Sequence, residues 1–143
     1  ERGAARMVDV SAKPRVKRVA RARAFVELAP GTVALVRANA LEKGDVLAVA
    51  RVAGIMAAKR AAELIPLCHN IEIERVEAEL EVRDDGIAIR TLAACTDKTG
   101  IEMEALTAAS VAALAVWDMC KAVDKGMRIR EIELVEKTKE VAP

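Results

Sequence analysis

The stretch Ile71–Thr96, IEIERVEAELEVRDDGIAIRTLAACT, decides the fold. Ile71–Arg83 alternates apolar and charged residues, the period of a half-buried strand. Asp84-Asp85-Gly86 is a turn signal, and Ile87–Thr96 reads as the returning strand. The centre of the chain is therefore an antiparallel hairpin with one face toward a core.

The flanks add matching pieces. Val19–Leu28, VARARAFVEL, alternates almost strictly and predicts a strand. Pro30-Gly31 punctuates, and Thr32–Ala40 predicts a short helix. Asp45 is a natural N-cap for a longer helix through Val46–Ile65, which stops before Pro66. Beyond the hairpin, a helix is expected over about 102–124, ended by Gly126. Met127–Val135, MRIREIELV, alternates again and closes the pattern. The order is βαββαβ, an α+β, ferredoxin-like arrangement. It implies a four-stranded antiparallel sheet with helices packed on one face. One domain is expected over 1–143, with an extended basic arm over 1–18 and a short tail over 136–143.

Composition narrows the classes. The 143 residues include one Phe, one Trp and no Tyr, so the core must be built from small aliphatic side chains that let helices pack closely. The net charge of +1 gives no general attraction for polyanions. Residues 1–23 are uneven, with eight Lys and Arg against Glu1 and Asp9. That arm is either a solvated segment or a place to meet phosphate. Cys68, Cys95 and Cys120 form no CxxC, which argues for a reducing compartment. No apolar stretch follows the first charges, so no signal peptide is expected. The charge-free run Ala105–Trp117 is too short to span a bilayer. A cytoplasmic protein is the expectation. The strands at 71–83, 87–96 and 127–135 have no aromatics on which bases could stack, which disfavours an RNA-binding sheet.

The helix expected at 102–124 is apolar on every face in its middle and charged at both ends. Such a middle must be covered all round. A single sheet covers one side, so a second subunit is expected on the other. Glu102 and Glu104 stand at its start; Asp118, Lys121, Asp124 and Lys125 stand at its end. Local rules explain part of this. Thr99-Gly-Ile-Glu102 fits a capping box, the signs suit the helix dipole, and Asp118 and Lys121 could simply pair at i,i+3. Glu104 and Asp118, however, lie fourteen positions apart, roughly 21 Å at about 1.5 Å per residue. If both serve one reaction, the site must lie between subunits.

Several motifs carry a resemblance. Met7–Ser11 (MVDVS), Lys43–Val46 (KGDV), Ala53-Gly54-Ile55, Ala57–Arg60 (AAKR), Leu64–His69 (LIPLCH) and Lys98–Lys125, KTGIEMEALTAASVAALAVWDMCKAVDK, follow one another in the order seen in the MoaC family of molybdenum-cofactor biosynthesis. The chain resembles that family over nearly its whole length. The resemblance implies conversion of 3′,8-cyclo-7,8-dihydro-GTP to cyclic pyranopterin monophosphate with release of pyrophosphate. It also implies a substrate supplied by a radical enzyme acting on GTP, and a homohexamer of dimers with sites at dimer interfaces. By the same resemblance Asp118, Lys121 and Lys43 are catalytic. Leu67, Cys68, His69, Glu102, Met103, Glu104 and Arg18 bind substrate, with Lys59 and Lys137 as further phosphate contacts.

The residue types suit that chemistry. Lysines neutralise a triphosphate and a departing pyrophosphate. A carboxylate beside a lysine divides donor and acceptor roles in repeated proton transfers. His69 is the only histidine and titrates closest to neutrality by type. Cys68 beside His69 lacks partners for a metal site, so no protein-bound metal is expected; Mg²⁺ would come with the triphosphate. One departure stands out. Members of the family commonly end in a glycine-rich tail of the type KSGGKSG, whereas this chain ends EKTKEVAP. Lys137 keeps the first lysine, the glycines are missing, and Lys139 is a candidate for the second. The competing reading is a non-catalytic ligand-binding module of the same fold.

Overall fold

The computed structural model describes residues 3–140. The outermost residues of the expected arm and tail, 1–2 and 141–143, lie outside the described residues. The elements are β1 (Val16–Glu27), α1 (Pro30–Arg37), α2 (Val46–Lys59), α3 (Ala61–Leu64), β2 (Arg75–Arg83), β3 (Gly86–Asp97), α4 (Glu102–Cys120) and β4 (Arg128–Glu140). The sheet order is β2-β3-β1-β4, antiparallel throughout. This is the α+β arrangement that the strand and helix order implies.

The core lies between the sheet and α4. Ala20, Ala22, Ala24 and Val26 of β1 and Ile87, Ile89, Ala93 and Cys95 of β3 point into it. Alanines on the strand let α4 sit close, and α4 answers with Ala105, Ala109, Ala112 and Ala113. Thr91 of β3 donates its hydroxyl to the Ala105 carbonyl at 2.7 Å, so its buried oxygen is paired. On the other side of α4 lies α2. A β-carbon on Gly54 would stand 3.0 Å from the Ala108 carbonyl oxygen and 3.3 Å from the Ala112 β-carbon. Glycine there lets the two helices touch backbone to backbone. The middle of α4 is thus covered largely by α2 and the sheet of its own chain. Leu114 and Trp117 stay out, 58% and 40% exposed. α4 is long and apolar enough to cross a membrane by length and composition; here it is the core helix.

Several boundaries differ from the sequence reading. The arm ends earlier and the tail is shorter, because β1 begins at Val16 and β4 runs to Glu140, with Lys17 opposite Glu140. The alternation ends at Val135 because β4 is an edge strand, exposed along almost all of its length and irregular in register around Ala22 and Phe25 of β1. Helix α2 stops at Lys59: Arg60 leaves helical geometry (φ −116°, ψ 15°), and one further turn follows at Ala61–Leu64. Strand β2 begins at Arg75, and Ile71 turns to line a cavity instead. The capping box is not made. Ile101 is the N-cap of α4; it has no polar side-chain atom with which to cap, and its side chain is drawn into the core at 1% exposure. α4 also ends at Cys120, six residues before Gly126. The Asp45 cap forms as expected, accepting from the Ala48 N–H at 3.1 Å.

The hairpin turn is tight. Arg83 pairs with Gly86, leaving Asp84-Asp85 as the loop. A β-carbon on Gly86 would fall 2.0 Å from the Val26 carbonyl oxygen, so no other residue fits without moving β1.

Candidate active site

The predicted residues gather at the two ends of α4. At its end, Asp118 receives two lysines. Lys121 Nζ lies 2.8 Å from Asp118 Oδ1 and Lys43 Nζ lies 2.9 Å from Oδ2. Lys121 comes from the same helix end. Lys43 comes from the loop before α2, where Gly44 takes a left-handed φ of 102° and turns the chain into the Asp45 cap. The hydrogen bonds of Lys121 and Lys43 hold the Asp118 carboxyl down to about 2. Asp118 is therefore a carboxylate at neutral pH, with an ammonium on each oxygen. All three side chains are about half exposed.

The start of α4 is the reverse. Glu104 is 2% exposed, and burial pushes its carboxyl up. Cys68 Sγ is 3.9 Å from Glu104 Oε2 and donates to it weakly. Burial, then the neighbouring Glu104, pushes the Cys68 thiol up as well. Glu104 Oε1 and Glu102 Oε2 are buried without a hydrogen-bond partner. Buried carboxylate oxygens without donors are costly; Glu102 lines a cavity, and Glu104 touches Cys68 of the same lining. A cavity of about 400 Å³ opens here, lined by Leu67, Cys68, His69, Glu102 and Met103 together with Val8 and Val10 of the arm.

A second cavity of about 380 Å³ adjoins it, lined by Lys13, Arg18, Glu102, Lys137 and Lys139. Lys13, Thr99, Gly100 and Glu102 border both, so the two form one groove. Arg18 is held in place by the Asp97 and Lys98 carbonyls at 3.1 and 3.3 Å. Lys137 and Lys139 are two apart on β4 and so share a face; Lys139 stands opposite Arg18 and Lys137 opposite Ala20. Glu102 lies where the two cavities meet, with Arg18, Lys137 and Lys139 on one side of it, Arg6 and the Leu67–His69 segment on the other, and Lys13 bordering both.

The structure thus brings Leu67, Cys68, His69, Glu102, Met103, Glu104, Arg18 and Lys137 together. Lys59 lies apart, in a neighbouring hollow that shares Ile71 with the first. Asp118, Lys121 and Lys43 stand at the opposite end of the unbroken helix. Lys13 and Val8 were not singled out by the sequence. Lys13 was legible only as one of eight cations in the arm, and Val8 contributes a backbone carbonyl, which leaves no mark in the letters. Among the described residues no group of three His, Cys, Asp or Glu is placed to hold a metal. All three cysteines are free.

A groove that joins cations to acids, on a ferredoxin-like sheet, has the charge pattern that a small polyanion with a donor-bearing ring would meet. The chain belongs to the MoaC family, which it matches over residues 7–140. It is 58% identical over 139 residues to the cyclic pyranopterin monophosphate synthase of Thermomicrobium roseum, covering 96% of this chain and 84% of that protein. The proteins of the same name from Peptoclostridium acidaminophilum and Streptomyces coelicolor are 53% and 54% identical over 138 residues. Each alignment covers 96% of this chain, with 88% and 81% of the relatives.

Proposed function

We propose that this chain is an enzyme that converts 3′,8-cyclo-7,8-dihydro-GTP to cyclic pyranopterin monophosphate and releases pyrophosphate, an early step of molybdenum-cofactor synthesis. The carrying observation is the pair of buried, partnerless oxygens, Glu102 Oε2 and Glu104 Oε1, beside the Leu67–His69 cavity. A guanine-derived ring presents N–H donors that such oxygens lack. Arg18, Lys13, Lys137 and Lys139 line the adjoining half, where phosphates belong. Lys59, set apart in this chain, is left as a contact to a neighbouring subunit's ligand. Any Mg²⁺ arrives chelated by the substrate's phosphates.

The departing pyrophosphate and the proton transfers made beside it are assigned to Asp118, Lys121 and Lys43. Asp118, already ionised, accepts a proton while either ammonium donates one or steadies the leaving oxygens. These groups reach the ring only from a second subunit. An antiparallel partner helix across a two-fold axis brings one chain's Asp118 beside the other's Glu104. Support comes from the exposed Leu114 and Trp117 on α4, Trp117 adjoining Asp118, and from the exposed Val49, Val52 and Met56 on α2. The proposed assembly is a hexamer built from such dimers, working in the cytoplasm downstream of the radical enzyme that cyclises GTP. Incubation with the cyclic nucleotide should release pyrophosphate and a pterin phosphate together. Tight binding of that nucleotide without either product would leave the chain a binding module.

A further inference from the structure

His69 is the chain's single histidine, and its ring is already engaged. Nε2 lies 2.6 Å from the main-chain oxygen of Val8 in the N-terminal arm. A carbonyl oxygen carries no proton and can only accept. The ring is therefore the donor, and Nε2 holds the hydrogen. A neutral imidazole has one N–H, so Nδ1 keeps the bare lone pair. If the ring is charged, the second hydrogen sits on Nδ1. In both states the proton that His69 can exchange is the one at Nδ1, which makes no hydrogen bond among the described residues.

The arm is tied down next to this contact. Asp9 Oδ1 accepts from the Ser11 N–H at 2.9 Å, closing a turn directly after Val8. Lys98 Nζ donates to the Ser11 carbonyl at 3.3 Å. The Lys98 backbone is itself fixed, its N–H donating to Asp97 Oδ1 at 2.7 Å and its carbonyl accepting from Arg18 at 3.3 Å. Val8, Val10 and His69 line one cavity. The arm is thus a wall of the site, held by the turn that starts α4.

We infer that the Val8 carbonyl is a positioning group for His69: it fixes Nε2 as the donor and reserves Nδ1 for proton exchange with the bound ring. This rests on the reading of the cavity as the place where the substrate's ring binds. Orientation of one ring nitrogen by a backbone carbonyl is a general way to set the role of the other. Val8 touches no reacting atom; it acts through His69.

With one histidine, ¹⁵N spectra of the full chain report this ring alone. The expected result is a single Nε2–H tautomer whose ring hydrogen is protected enough to observe, with Nδ1 unprotonated in the neutral state. An Nδ1–H tautomer, or the mixture that a free imidazole shows, overturns the assignment whatever the activity. Asp9→Ala and Lys98→Ala each remove one tie of the arm; the Asp9 carboxylate also acts on His69 by charge, so Lys98→Ala is the cleaner of the two. Both should move the spectrum toward the free-imidazole mixture. Both should lower kcat about tenfold, part of the roughly 10²–10⁴ that a placed acid–base group contributes. KM should rise by less than kcat falls, since the arm forms only one wall of the cavity and the rest of its lining is unchanged. An unchanged spectrum in both variants overturns the arm as the cause. The expected tautomer in a chain that does not turn over the cyclic nucleotide removes the reaction and leaves the positioning intact.

Discussion

The two ends of α4 carry similar letters and opposite physics. At its end, Asp118 is exposed and paired on both oxygens, by Lys121 and Lys43. At its start, Glu104 is buried and Glu102 and Glu104 each have an oxygen with no partner. The exposed end is complete as it stands, a carboxylate between two ammoniums that water can still reach. At the buried end Glu104 has only the weak Cys68 donor, and Glu102 Oε2 and Glu104 Oε1 have none among the described residues. Salt bridges between exposed groups add little to stability. Their value here lies in holding charge ready, whereas the start of the helix spends stability to keep acceptors unsatisfied. On the proposed reading, this difference suits a shared site that draws one helix end from each subunit.

The comparison breaks first at Asp118. Asp118→Asn should lower kcat by about 10²–10⁴, the worth of a placed acid–base group, while thermal stability changes by no more than about 0.5 kcal/mol, as for other exposed positions. Single-turnover pyrophosphate release and a melting curve on the same sample check both. A large loss of stability would mean that the triad is structural.

Asp124 is the next largest and purely structural. It is buried, and its carboxylate accepts from the Ala29 N–H at 2.8 Å, closing the start of α1, and from the Gly126 N–H at 3.1 Å. Asp124→Ala leaves those donors unpaired and should cost about 1–3 kcal/mol. Although burial acts upward on its carboxyl, the hydrogen bonds to Ala29, Thr32 and Gly126 prevail, and it sits below the ordinary value of 3.8. A depressed folded-state value means that its contribution is present above the unfolded value and lost as pH falls through the folded one. Denaturant midpoints measured downward from pH 5 should fall in the parent and change less in the variant.

Glu104 has the opposite sign. Its carboxyl lies above the ordinary value of 4.5 because it is buried. The folded state then holds a proton that the unfolded state has released, so stability falls as pH rises between those two values. Glu104→Gln should flatten that dependence and raise KM by about tenfold, the loss of one charged hydrogen bond at about 1.4 kcal/mol. An unchanged slope with unchanged KM would put Glu104 outside the site.

Much of this was legible beforehand, for identifiable reasons. The hairpin announced itself because strict alternation and Asp84-Asp85-Gly86 agree. The Asp45 cap was readable because one side chain satisfies one local N–H. The capping box at Thr99 does not form because a distant force decides the helix start: burying Ile101 outweighs a local hydrogen bond. The continuation of β4 to Glu140 was hidden because an edge strand with both faces wet shows no apolar period. That continuation bears on the letters after Lys137, which depart from the family's glycine-rich pattern, since Lys137 and Lys139 reach the groove from a strand. The covering of α4 was half foreseen. Its own α2 takes most of the face expected for a second subunit, through the Gly54 contact that no periodicity reveals, and what remains for a partner is the strip at Leu114 and Trp117.

The central claim, that the Glu104 and Asp118 of one site come from different subunits, is tested most directly by mixing. Inactive Asp118→Ala and Glu104→Ala chains, combined under conditions that exchange subunits, should regain activity, because a mixed dimer assembles one site with both Asp118 and Glu104 intact. Mixed oligomers that form, as seen by mass spectrometry, and remain as inactive as either variant alone would contradict the shared site.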